Sequence, residues 1–469
     1  MKLKSQLTTA GVLSVSLLST NCASNGETTT QRLNVVLINI DDLGWTDLSF
    51  MGSDYYETPN IDRLRSEGVY FSNAYAAAAN SAPSRSSMLT GVYSSRHGVY
   101  TVDPADRGKA KDRKLISAAN RLTPDPKYKL LTETMQESGY RTCMVGKWHV
   151  GEDPTKQGVD VNVAGCLKGH PKSYTSPYKN PAITDGEDGE FLTDRLAAEA
   201  VKFMETCKGG DAPFFLYFAT YAVHTPLQPK PELAAKYAEK EGTAEHHNNK
   251  YAALIETMDT NVGVVLDYLR SSGLDKNTVI VLTSDNGGVY DISKQHPLRA
   301  GKGSFYEGGI RVPMIVVWDG HTAANTTCDT PVSQMDLYPT LLDIVGVSDE
   351  GLNLDGEVIT SQIEGKAAAT ERALYWHFPA YLQGGNEETT DPIFRSRPVS
   401  VIRKGDWKLI YNYESETAEL YNLSNDLSER NDLATTDCAK ATQMQQELFT
   451  WLRSVDAPTE FELNPKYQK

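Results

Sequence analysis

The sequence predicts an α/β fold, in which a large, mainly parallel or mixed sheet is sandwiched by helices and a smaller α+β domain follows. From residue 33 onward, short apolar segments typical of buried strands alternate with amphipathic segments typical of helices, and this alternation favours a parallel sheet. After about residue 370 the segments become short and alternate between apolar and polar residues, as antiparallel strands do. We therefore predict a main α/β domain over residues 33–370 and a C-terminal α+β domain with a short antiparallel sheet over residues 371–469.

The predicted elements follow from hydrophobic periodicity and capping residues. Residues 33–40 (LNVVLINI) form a continuous apolar run, which indicates a strand buried on both faces. The other predicted strands cover residues 141–145, 214–220, 278–282, 312–318, 399–404 and 407–413. Helices are predicted from about Asn60 to residue 68 and near residues 131–138, 192–207, 251–271, 336–345 and 441–455. Residues 151–189 are polar and rich in glycine and proline, and they fit neither pattern.

The N-terminal residues predict export from the cell. Lys2 and Lys4 precede an apolar run over residues 10–18, which is typical of a signal peptide and too short to span a bilayer. We predict a signal peptide over residues 1–22 and a location in the periplasm or at the cell surface. Residues 18–22 (LSTNC) are similar to a bacterial lipoprotein cleavage box, although Asn21 replaces the usual small residue. Lipidation of Cys22, which would anchor the protein to the outer membrane, and plain cleavage near Ala23 are alternatives that stay open.

Charge and cysteine content exclude two classes of function. The 469-residue chain has 61 acidic and 46 basic residues and a net charge of -15, which argues against nucleic acid as a partner. An anionic substrate would therefore need basic residues concentrated in one pocket. The five cysteines after Cys22 are scattered without metal-ligand spacing, so cysteine chemistry is not expected and most of them are predicted to be small buried residues.

Polar residues follow four of the predicted strands. Asp41 and Asp42 follow the first strand, and Asp285 and Asn286 follow the strand over residues 278–282. Lys147 and His149 follow a third strand, and His224 lies shortly after a fourth. Because the carboxyl ends of parallel strands share one edge of a sheet, these residues are expected to meet in space. Each cluster alone is more typical of a helix cap, a turn or a surface histidine, but together they predict a functional site.

The chemistry of these residues separates into two sets. Asp41, Asp42, Asp285 and Asn286 offer only oxygen donors, which favour Ca2+ or Mg2+ over zinc. The complementary basic set, suited to an anionic group, consists of Arg85, Lys147, His149, His224 and Lys302. Between them in the chain, Pro83 predicts a helix that begins just after Ser81. Backbone N–H groups at such a helix start favour an oxyanion, whereas the alternative is a serine that only caps the helix.

Residues 81–85 (SAPSR) resemble the formylglycine signature of the type I sulfatases, in its serine form. Further segments match motifs of that family in the expected order: 41–42 (DD), 146–149 (GKWH), 224–226 (HTP), 283–288 (TSDNGG), 301–313 (GKGSFYEGGIRVP), 419–423 (ELYNL) and 431–434 (NDLA). The resemblance spans about residues 33–434. It implies the alkaline phosphatase-like superfold and a sulfatase that acts on a sulfated carbohydrate. The serine, in place of the cysteine of animal relatives, implies a bacterial protein matured by a radical-SAM type enzyme.

The resemblance also implies a role for each site residue. Ser81 is expected to become Cα-formylglycine, whose hydrate attacks the sulfur atom. Ca2+, or less expectedly Mg2+, would be held by Asp41, Asp42, residue 81, Asp285 and Asn286, and Asp285 would also accept the attacking proton. Arg85 would hold the formylglycine, and Lys147 would bridge it to sulfate. His224 and Lys302 would bind sulfate near the leaving oxygen, with His224 as the general acid. His149 would take the proton of the second hydroxyl as sulfate leaves.

The expected substrate is a sulfated glycan. Removal of sulfate from the terminal sugar of a glycan, galactose or N-acetylgalactosamine, is the function that we expect. Specificity is expected in residues 151–189 and in the stretch around His377, Tyr381, Arg395 and Arg397. Two alternatives stay open. One is a phosphate or phosphonate monoester hydrolase of the same superfold, and the other is an inactive glycan-binding lipoprotein.

Overall fold

The computed structural model describes residues 32–366, 371–389 and 391–468. The predicted signal peptide over residues 1–22 and the alternatives at Cys22 and Ala23 lie outside this part of the chain. Within it, no helix has the length and apolar character that crossing a membrane requires. Residues Arg32–Lys469 form one compact unit, and the domain boundary near residue 370 stays a prediction.

The strands of this protein form one large sheet and three smaller ones in the described part of the chain. In the described part of the chain, the strands are β1 (Asn34–Ile40), β2 (Val69–Phe71), β3 (Ala74–Tyr75), β4 (Arg141–Gly146), β5 (Val161–Val163), β6 (Phe214–Ala219), β7 (Thr278–Ser284), β8 (Met314–Trp318), β9 (Thr326–Cys328), β10 (Val332–Ser333), β11 (Ala373–Phe378), β12 (Leu382–Gln383), β13 (Phe394–Ser396), β14 (Val399–Lys404), β15 (Trp407–Asn412) and β16 (Thr417–Asn422). Eight of them form one sheet in the order β5-β4-β6-β1-β7-β8-β2-β9. The neighbours from β5 to β7 are parallel, and β8 is antiparallel to β7 and to β2. The predicted mixed sheet is thus confirmed.

Helices cover both faces of this sheet. Among the described residues the α-helices of the whole chain are α1 (Pro59–Glu67), α2 (Ser81–Thr90), α3 (Ser94–His97), α4 (Leu131–Glu137), α5 (Leu192–Cys207), α6 (Pro231–Ala238), α7 (Asn249–Ser272), α8 (Glu307–Ile310), α9 (Leu337–Val345), α10 (Thr360–Ile363) and α11 (Cys438–Ser454). In β1, Val36 and Ile38 pack in a core with α5 and α7, whereas Val35 and Leu37 pack in a second core with α4 and α9. Two buried faces explain why β1 is apolar at nearly every position.

The C-terminal residues form a four-stranded antiparallel sheet in the order β11-β14-β15-β16. Helix α11 covers one face, where Leu448 packs with Ile402 and Leu409. The other face packs Val401 and Ile410 against residues of the main domain that include Phe305 and Ile310 (that contact brings the C-terminal sheet next to the 301–313 motif). The predicted small antiparallel sheet is therefore confirmed, with β11 and β16 as strands that the periodicity did not predict.

Short elements are where prediction and structure differ. Strands β2, β5 and β9 have three residues each, which is too short for a period-two pattern to be recognised. Residues 151–189 contain β5 and a 3-10 turn over Pro154–Lys156 but otherwise lack regular elements. The five cysteines of the described residues are free, and three of them are buried.

Candidate active site

The polar residues that follow the parallel strands lie together at the carboxyl edge of the main sheet. Asp41 and Asp42 directly follow β1, Lys147 directly follows β4, and Asp285 directly follows β7. Strand β1 lies between β6 and β7, and β4 pairs with β6. Three of the four consecutive strands β4-β6-β1-β7 thus bring residues from distant parts of the chain into one cluster, as the topology rule predicts.

Ser81 is the first residue of α2, and all ten residues of this helix are buried. The helix begins at Ser81 itself, one residue earlier than the sequence suggests, and Asn80 is its N-cap with extended backbone. Lys147 Nζ donates a hydrogen bond of 2.8 Å to Ser81 Oγ. Ser81 Oγ lies 3.2 Å from Asn286 Oδ1 and 3.4 Å from Asp41 Oδ1. Residue 81 therefore lies between the basic set and the oxygen donors.

Each carboxylate of the site has its own basic partner. Asp41 Oδ1 lies 2.7 Å from Lys147 Nζ, and Asp285 Oδ2 accepts a 2.8 Å hydrogen bond from Arg85 Nε. The Lys302 ammonium lies 2.6 and 2.7 Å from the two carboxylate oxygens of Asp42. Lys302 is held in a loop between two glycines, and Gly303 adopts a left-handed φ of 87° that favours glycine. Arg85 also donates from Nη1 to the Lys147 carbonyl oxygen at 2.8 Å, which joins the pairs.

Burial and mutual charge determine how these carboxylates ionise. Burial raises the pKa of Asp41 to about 8, with Asp285 and Asp42 adding to the effect and Lys147 opposing it. Burial also acts on Asp42, but Lys302 and His224 outweigh it and its pKa is lowered. The pKa of Asp285 is well below its usual range, because Arg85 and Lys147 outweigh burial. Burial therefore prevails at Asp41, whereas nearby cations prevail at Asp42 and Asp285.

The oxygen donors fit a hard divalent cation. Asp41 Oδ2 is buried and has no hydrogen-bond partner among the described residues, although a buried acceptor normally has one. Asn286 directs Oδ1 towards Ser81 and donates from Nδ2 to Asp42 Oδ1 at 2.8 Å. A cation among these oxygens would satisfy Asp41 and reduce the carboxylate repulsion. The structure adds one nitrogen that the sequence-based donor set lacks, since His224 Nε2 lies 3.6 Å from Asp42 Oδ2.

The two predicted catalytic histidines are both neutral in this arrangement. Burial, together with the charges of Lys147 and Arg85, holds the pKa of His149 well below its usual value. Its Nδ1 is buried without a partner among the described residues. A Cβ atom at Gly169 would lie 2.3 Å from His149 Cε1, so only glycine lets this loop close over the ring.

His224 lies at the edge of the site. Burial lowers the pKa of His224 to about 3, although Asp42 opposes the shift. Its Nδ1 lies 2.7 Å from the Thr225 carbonyl oxygen, and its ring stacks on His170 with centroids 6.1 Å apart. Tyr174 donates a 2.8 Å hydrogen bond to the His224 carbonyl oxygen, so the 151–189 segment positions the loop that carries this histidine.

A cavity of about 590 Å³ opens over Ser81. Its lining includes the predicted residues Ser81, Lys147, His149, His224 and Lys302. Its outer walls come from several loops and include Arg107, Leu122, Leu167, His170, Leu382 and Arg395. Arg107 was not predicted, because it does not follow a strand and no spacing links it to the other motifs. His170 was not predicted individually, but it lies in residues 151–189, where specificity is expected.

The sequence indicated four specificity residues in the C-terminal stretch. Of these four, only Arg395 lines the cavity. His377 Nδ1 lies 2.7 Å from Ser400 Oγ inside the C-terminal sheet. The hydroxyl of Tyr381 accepts a 2.9 Å hydrogen bond from the Leu115 backbone N–H. Arg397 pairs with Asp391 and Glu414. These three side chains therefore have structural partners within the protein.

Comparison with known proteins agrees with this geometry. The family model Sulfatase matches residues 33–347, and the model N-sulphoglucosamine sulphohydrolase, C-terminal, matches residues 301–457. The chain belongs to the sulfatase family, whose members hydrolyse sulfate esters, and the predicted family and enzyme class are confirmed. The fold is also that of the PsFucS1 sulfatase from Pseudoalteromonas sp., with a TM-score of 0.69 and 21% identity over 92% of this chain and 92% of that chain.

Individual relatives differ in how much of their length they share with the chain. A sulfatase of Formosa agariphila is 33% identical over 98% of this chain and 95% of its own length. The N-acetylgalactosamine-6-sulfatase of Rattus norvegicus is 33% identical over 68% of this chain, which spans 63% of that enzyme. The crystal structure of Ps i-CgsB in complex with k-i-k-neocarrahexaose has a TM-score of 0.74 and 31% identity, over 90% of this chain and 93% of that chain.

Proposed function

We propose that this sulfatase removes sulfate from the terminal sugar of a sulfated glycan, through a formylglycine formed from Ser81. The observation that carries the proposal is the position of Ser81. It lies at the start of a buried helix, 2.8 Å from the Lys147 ammonium, and it lines the cavity over the site. A serine hydroxyl is a weak nucleophile unless a base activates it, so we infer that residue 81 is converted to formylglycine. The serine form of the motif implies a maturation enzyme of the radical-SAM type.

The groups added to the chain supply the reactive chemistry. When bound, a divalent cation, with Ca2+ preferred to Mg2+, supplies positive charge beside residue 81, and the formyl group supplies the attacking oxygen once it is hydrated. The residues that would hold the cation are Asp41, Asp42, residue 81, Asp285 and Asn286. As a proton acceptor Asp285 would be a weak base, because Arg85 and Lys147 lower its pKa.

The basic residues of the chain bind and orient the sulfate group. Lys147 is within hydrogen-bond distance of residue 81, so it can bridge the attacking oxygen to a sulfate oxygen. Arg85 donates to Asp285 through Nε and to the Lys147 carbonyl oxygen through Nη1, which keeps the Lys147 backbone in position. Lys302 lies over Asp42 on the cavity wall and adds positive charge where negative charge develops in the transition state.

The two histidines suit opposite proton transfers. His149 is neutral because burial lowers its pKa, and a neutral imidazole can take a proton as sulfate is released. His224 lies on the cavity wall, where it can protonate the sugar oxygen that leaves. That role requires a bound anionic ester to raise the pKa of His224 from its value of about 3.

The shape of the cavity and the name of one relative support the substrate proposal. The 151–189 segment and the C-terminal region both form walls, through Leu167, His170, Leu382 and Arg395, and walls on several sides favour a chain end over the middle of a polymer. The relative from Rattus norvegicus is named an N-acetylgalactosamine-6-sulfatase, which favours a galactose-type sugar. A panel of oligosaccharides that differ in sugar and in sulfate position tests this, and release only from internal positions would contradict an exo-acting enzyme.

A phosphate or phosphonate monoester hydrolase of the same superfold is the second candidate function. The histidine nitrogen beside Asp42 is the observation that favours it, since zinc and other transition metals accept imidazole ligands. Rates with sulfate and phosphate esters of one alcohol separate the two functions. A non-catalytic glycan-binding lipoprotein is the third candidate function. It predicts that the protein cleaves no ester of the panel.

Maturation and export are tested on protein from the native host. Mass spectrometry of the peptide that contains Ser81 should show the loss of two hydrogen atoms, and an unmodified serine in an active enzyme would contradict the formylglycine. The mass of the mature N-terminus distinguishes lipidated Cys22 from cleavage near Ala23. Unprocessed residues 1–22 in that protein would contradict export by a signal peptide.

A further inference from the structure

We propose that Arg107 and Arg395 form a second anion-binding subsite in the cavity over Ser81, for a sulfate or carboxylate group other than the sulfate that is removed. The subsite rests on the sulfatase function proposed above and narrows its substrate to a glycan with at least two anionic groups. These groups would lie on the same sugar or on adjoining sugars.

Arg395 lies next to the loop that carries Lys302. Its Nη1 donates to the Lys302 backbone carbonyl oxygen at 3.4 Å, and its Nε donates to the Gly384 carbonyl oxygen at 3.1 Å. A Cβ atom at Gly303 would lie 3.1 Å from Arg395 Cδ, so the stem packs closely on this loop. Backbone contacts therefore hold the Arg395 guanidinium on the cavity wall beside the sulfate site.

Arg107 reaches the same cavity from a different loop. Its Nη2 donates to the carbonyl oxygens of Val102 and Asp103 at 3.3 Å. Its Nε is shielded from solvent and has no hydrogen-bond partner in the described part of the chain. A buried donor of this kind is costly unless a partner is supplied. Burial and the positive charge of Arg395 lower the pKa of Arg107, although Asp103 opposes the shift, so the two guanidinium groups repel each other.

The missing acid partners distinguish these arginines from the basic residues deeper in the cavity. Lys147 and Lys302 are paired with Asp41 and Asp42. Among the described residues, neither Arg107 nor Arg395 has a carboxylate within ion-pair distance. The exposed carboxylate Asp103 also lines the cavity, but it is not within ion-pair distance of either arginine.

Charge balance points to the class of ligand. In a protein with a net charge of -15, two adjacent arginines without acid partners in a substrate cavity are suited to an anion from outside. The planar guanidinium group forms paired hydrogen bonds with sulfate or carboxylate oxygens. A single scissile sulfate would be bound by Lys147 and Lys302, which leaves the arginines for a second anionic group.

Binding to an unmatured variant tests the subsite without turnover. Ser81→Ala protein with Ca2+ is titrated, by calorimetry, with three oligosaccharides of one backbone: one with a single terminal sulfate, one with a second sulfate, and one with a carboxylate in place of the second sulfate. We expect a ligand with two anionic groups to bind about 10- to 100-fold more tightly than the monosulfated one. The ligand that shows this gain identifies the second group as sulfate or carboxylate.

Substitution of the arginines assigns the gain to the subsite. Arg107→Gln and Arg395→Gln, each in the Ser81→Ala background, should reduce affinity for the ligand with two anionic groups about tenfold and leave the monosulfated ligand nearly unchanged. Arg141→Gln is the matched control, because Arg141 starts β4 at the amino end of the strand, away from the cavity. The control should leave the ratio of the two affinities unchanged.

Two results would overturn the subsite. One is equal affinity for all three ligands, and the other is an equal loss for mono- and dianionic ligands in the arginine variants. Sulfate release by the matured wild-type enzyme is measured separately on the same ligands. If no sulfate is released but the arginine-dependent gain persists, the proposed function fails and the anion subsite stands.

Discussion

Two clusters of buried charged residues in this protein have similar composition but different surroundings. The first is the active-site cluster of Asp41, Asp285, Arg85 and Lys147, whose side chains are fully buried. The second, which we call the Lys408 cluster, consists of Lys408, Glu307 and Glu429. Lys408 Nζ lies 3.0 Å from Glu307 Oε1 and 2.8 Å from Glu429 Oε1.

The Lys408 cluster joins two parts of the fold. Glu307 begins α8 in the main domain, and Lys408 belongs to β15 of the C-terminal sheet. Tyr75 donates a 2.7 Å hydrogen bond to Glu307 Oε2, and the Glu307 backbone N–H donates to Glu429 Oε2 at 2.6 Å. The three charged side chains are thus buried between these two parts of the fold and contact each other there.

The active-site cluster differs because its charges also face a cavity. Lys147 and Ser81 line that cavity, and Asp41 Oδ2 has no partner in the described chain. Burial and charge alone therefore do not identify a functional site. Access from the cavity separates a cluster that binds a ligand from one that stabilises a contact, since Glu429 Oε1 in the Lys408 cluster also lacks a hydrogen-bond partner among the described residues.

The largest expected effect is that of Asp285→Asn on turnover. The variant keeps the size of the side chain but removes a charge that would hold the cation, so we expect kcat/KM for sulfate release to fall by roughly 10³-fold or more. Thermal unfolding monitors the fold, which should persist. Retention of a tenth of wild-type activity would remove Asp285 from the catalytic site.

In the Lys408 cluster, Lys408→Met should affect stability and not chemistry. It removes the cation that Glu307 and Glu429 share and leaves Glu307 with Arg311 alone. We expect a loss of about 3 kcal/mol in the free energy of unfolding, because Glu429 is left buried without a cation. The rate per folded molecule should stay near the wild-type value. Lys404→Met is the control, since its pair with Glu447 is partly exposed and is expected to contribute less than about 1 kcal/mol. A specific loss of turnover in Lys408→Met would break the distinction between the clusters.

Substitution of the two histidines sharpens the description of the active-site cluster. His224→Ala should reduce the rate by about 10²-fold or more on a sugar sulfate, because the poor leaving group needs a proton. The loss should be much smaller on an aryl sulfate with an acidic phenol. His149→Ala should slow both substrates alike. Equal losses on both substrates for His224→Ala would contradict the general acid role.

Removal of the metal should lower the stability of the protein, because a cation bound to the active-site cluster stabilises the folded state. Dialysis against a chelator followed by addition of Ca2+ at about 100 times its Kd should stabilise the protein by about 2.7 kcal/mol. Calorimetry with Ca2+, Mg2+ and Zn2+ and elemental analysis of dialysed protein provide the measurement. Stoichiometric zinc would contradict the predicted oxygen-ligand site and would favour a role for His224 as a ligand.

The smallest effect concerns the pH dependence of the Lys408 cluster. Burial raises the pKa of Glu429 to about 7, although Lys408 opposes the shift. Because this folded-state pKa lies above that of an unfolded glutamate, the contribution of Glu429 to stability is lost as pH rises through about 7. Between pH 6 and pH 8 the wild type should lose about 1 kcal/mol more in free energy of unfolding than Glu429→Gln.

Glu307 does not disturb that comparison. Burial opposes its ionisation, but Lys408 and Arg311 outweigh it and lower its pKa to about 2. Its contribution is present above the pKa of an unfolded glutamate and is lost only in acid, so it is constant between pH 6 and pH 8. Denaturant unfolding of both proteins at the two pH values measures the difference, and identical pH slopes would contradict the raised pKa of Glu429.

Several elements could be predicted from the sequence because their patterns are long and local. Helix α5 over Leu192–Cys207 and strand β14 over Val399–Lys404 have the predicted bounds, since each repeats its periodicity over many residues. Helix α6 and the three-residue strands were not predicted. Such short elements are stabilised by neighbours that are distant in the chain, and their own sequence is weak evidence.

The floor of the active site follows from local patterns, whereas its walls do not. Polar residues such as Asp41 and Asp285 come directly after apolar strands, and a parallel sheet must bring those strand ends together. Arg107 lies in a loop and Arg395 in the three-residue strand β13. Their place in one cavity depends on how the C-terminal residues pack against the main domain. The same long-range packing separates the Lys408 cluster from the active-site cluster, because it leaves one open to a ligand and closes the other within the fold.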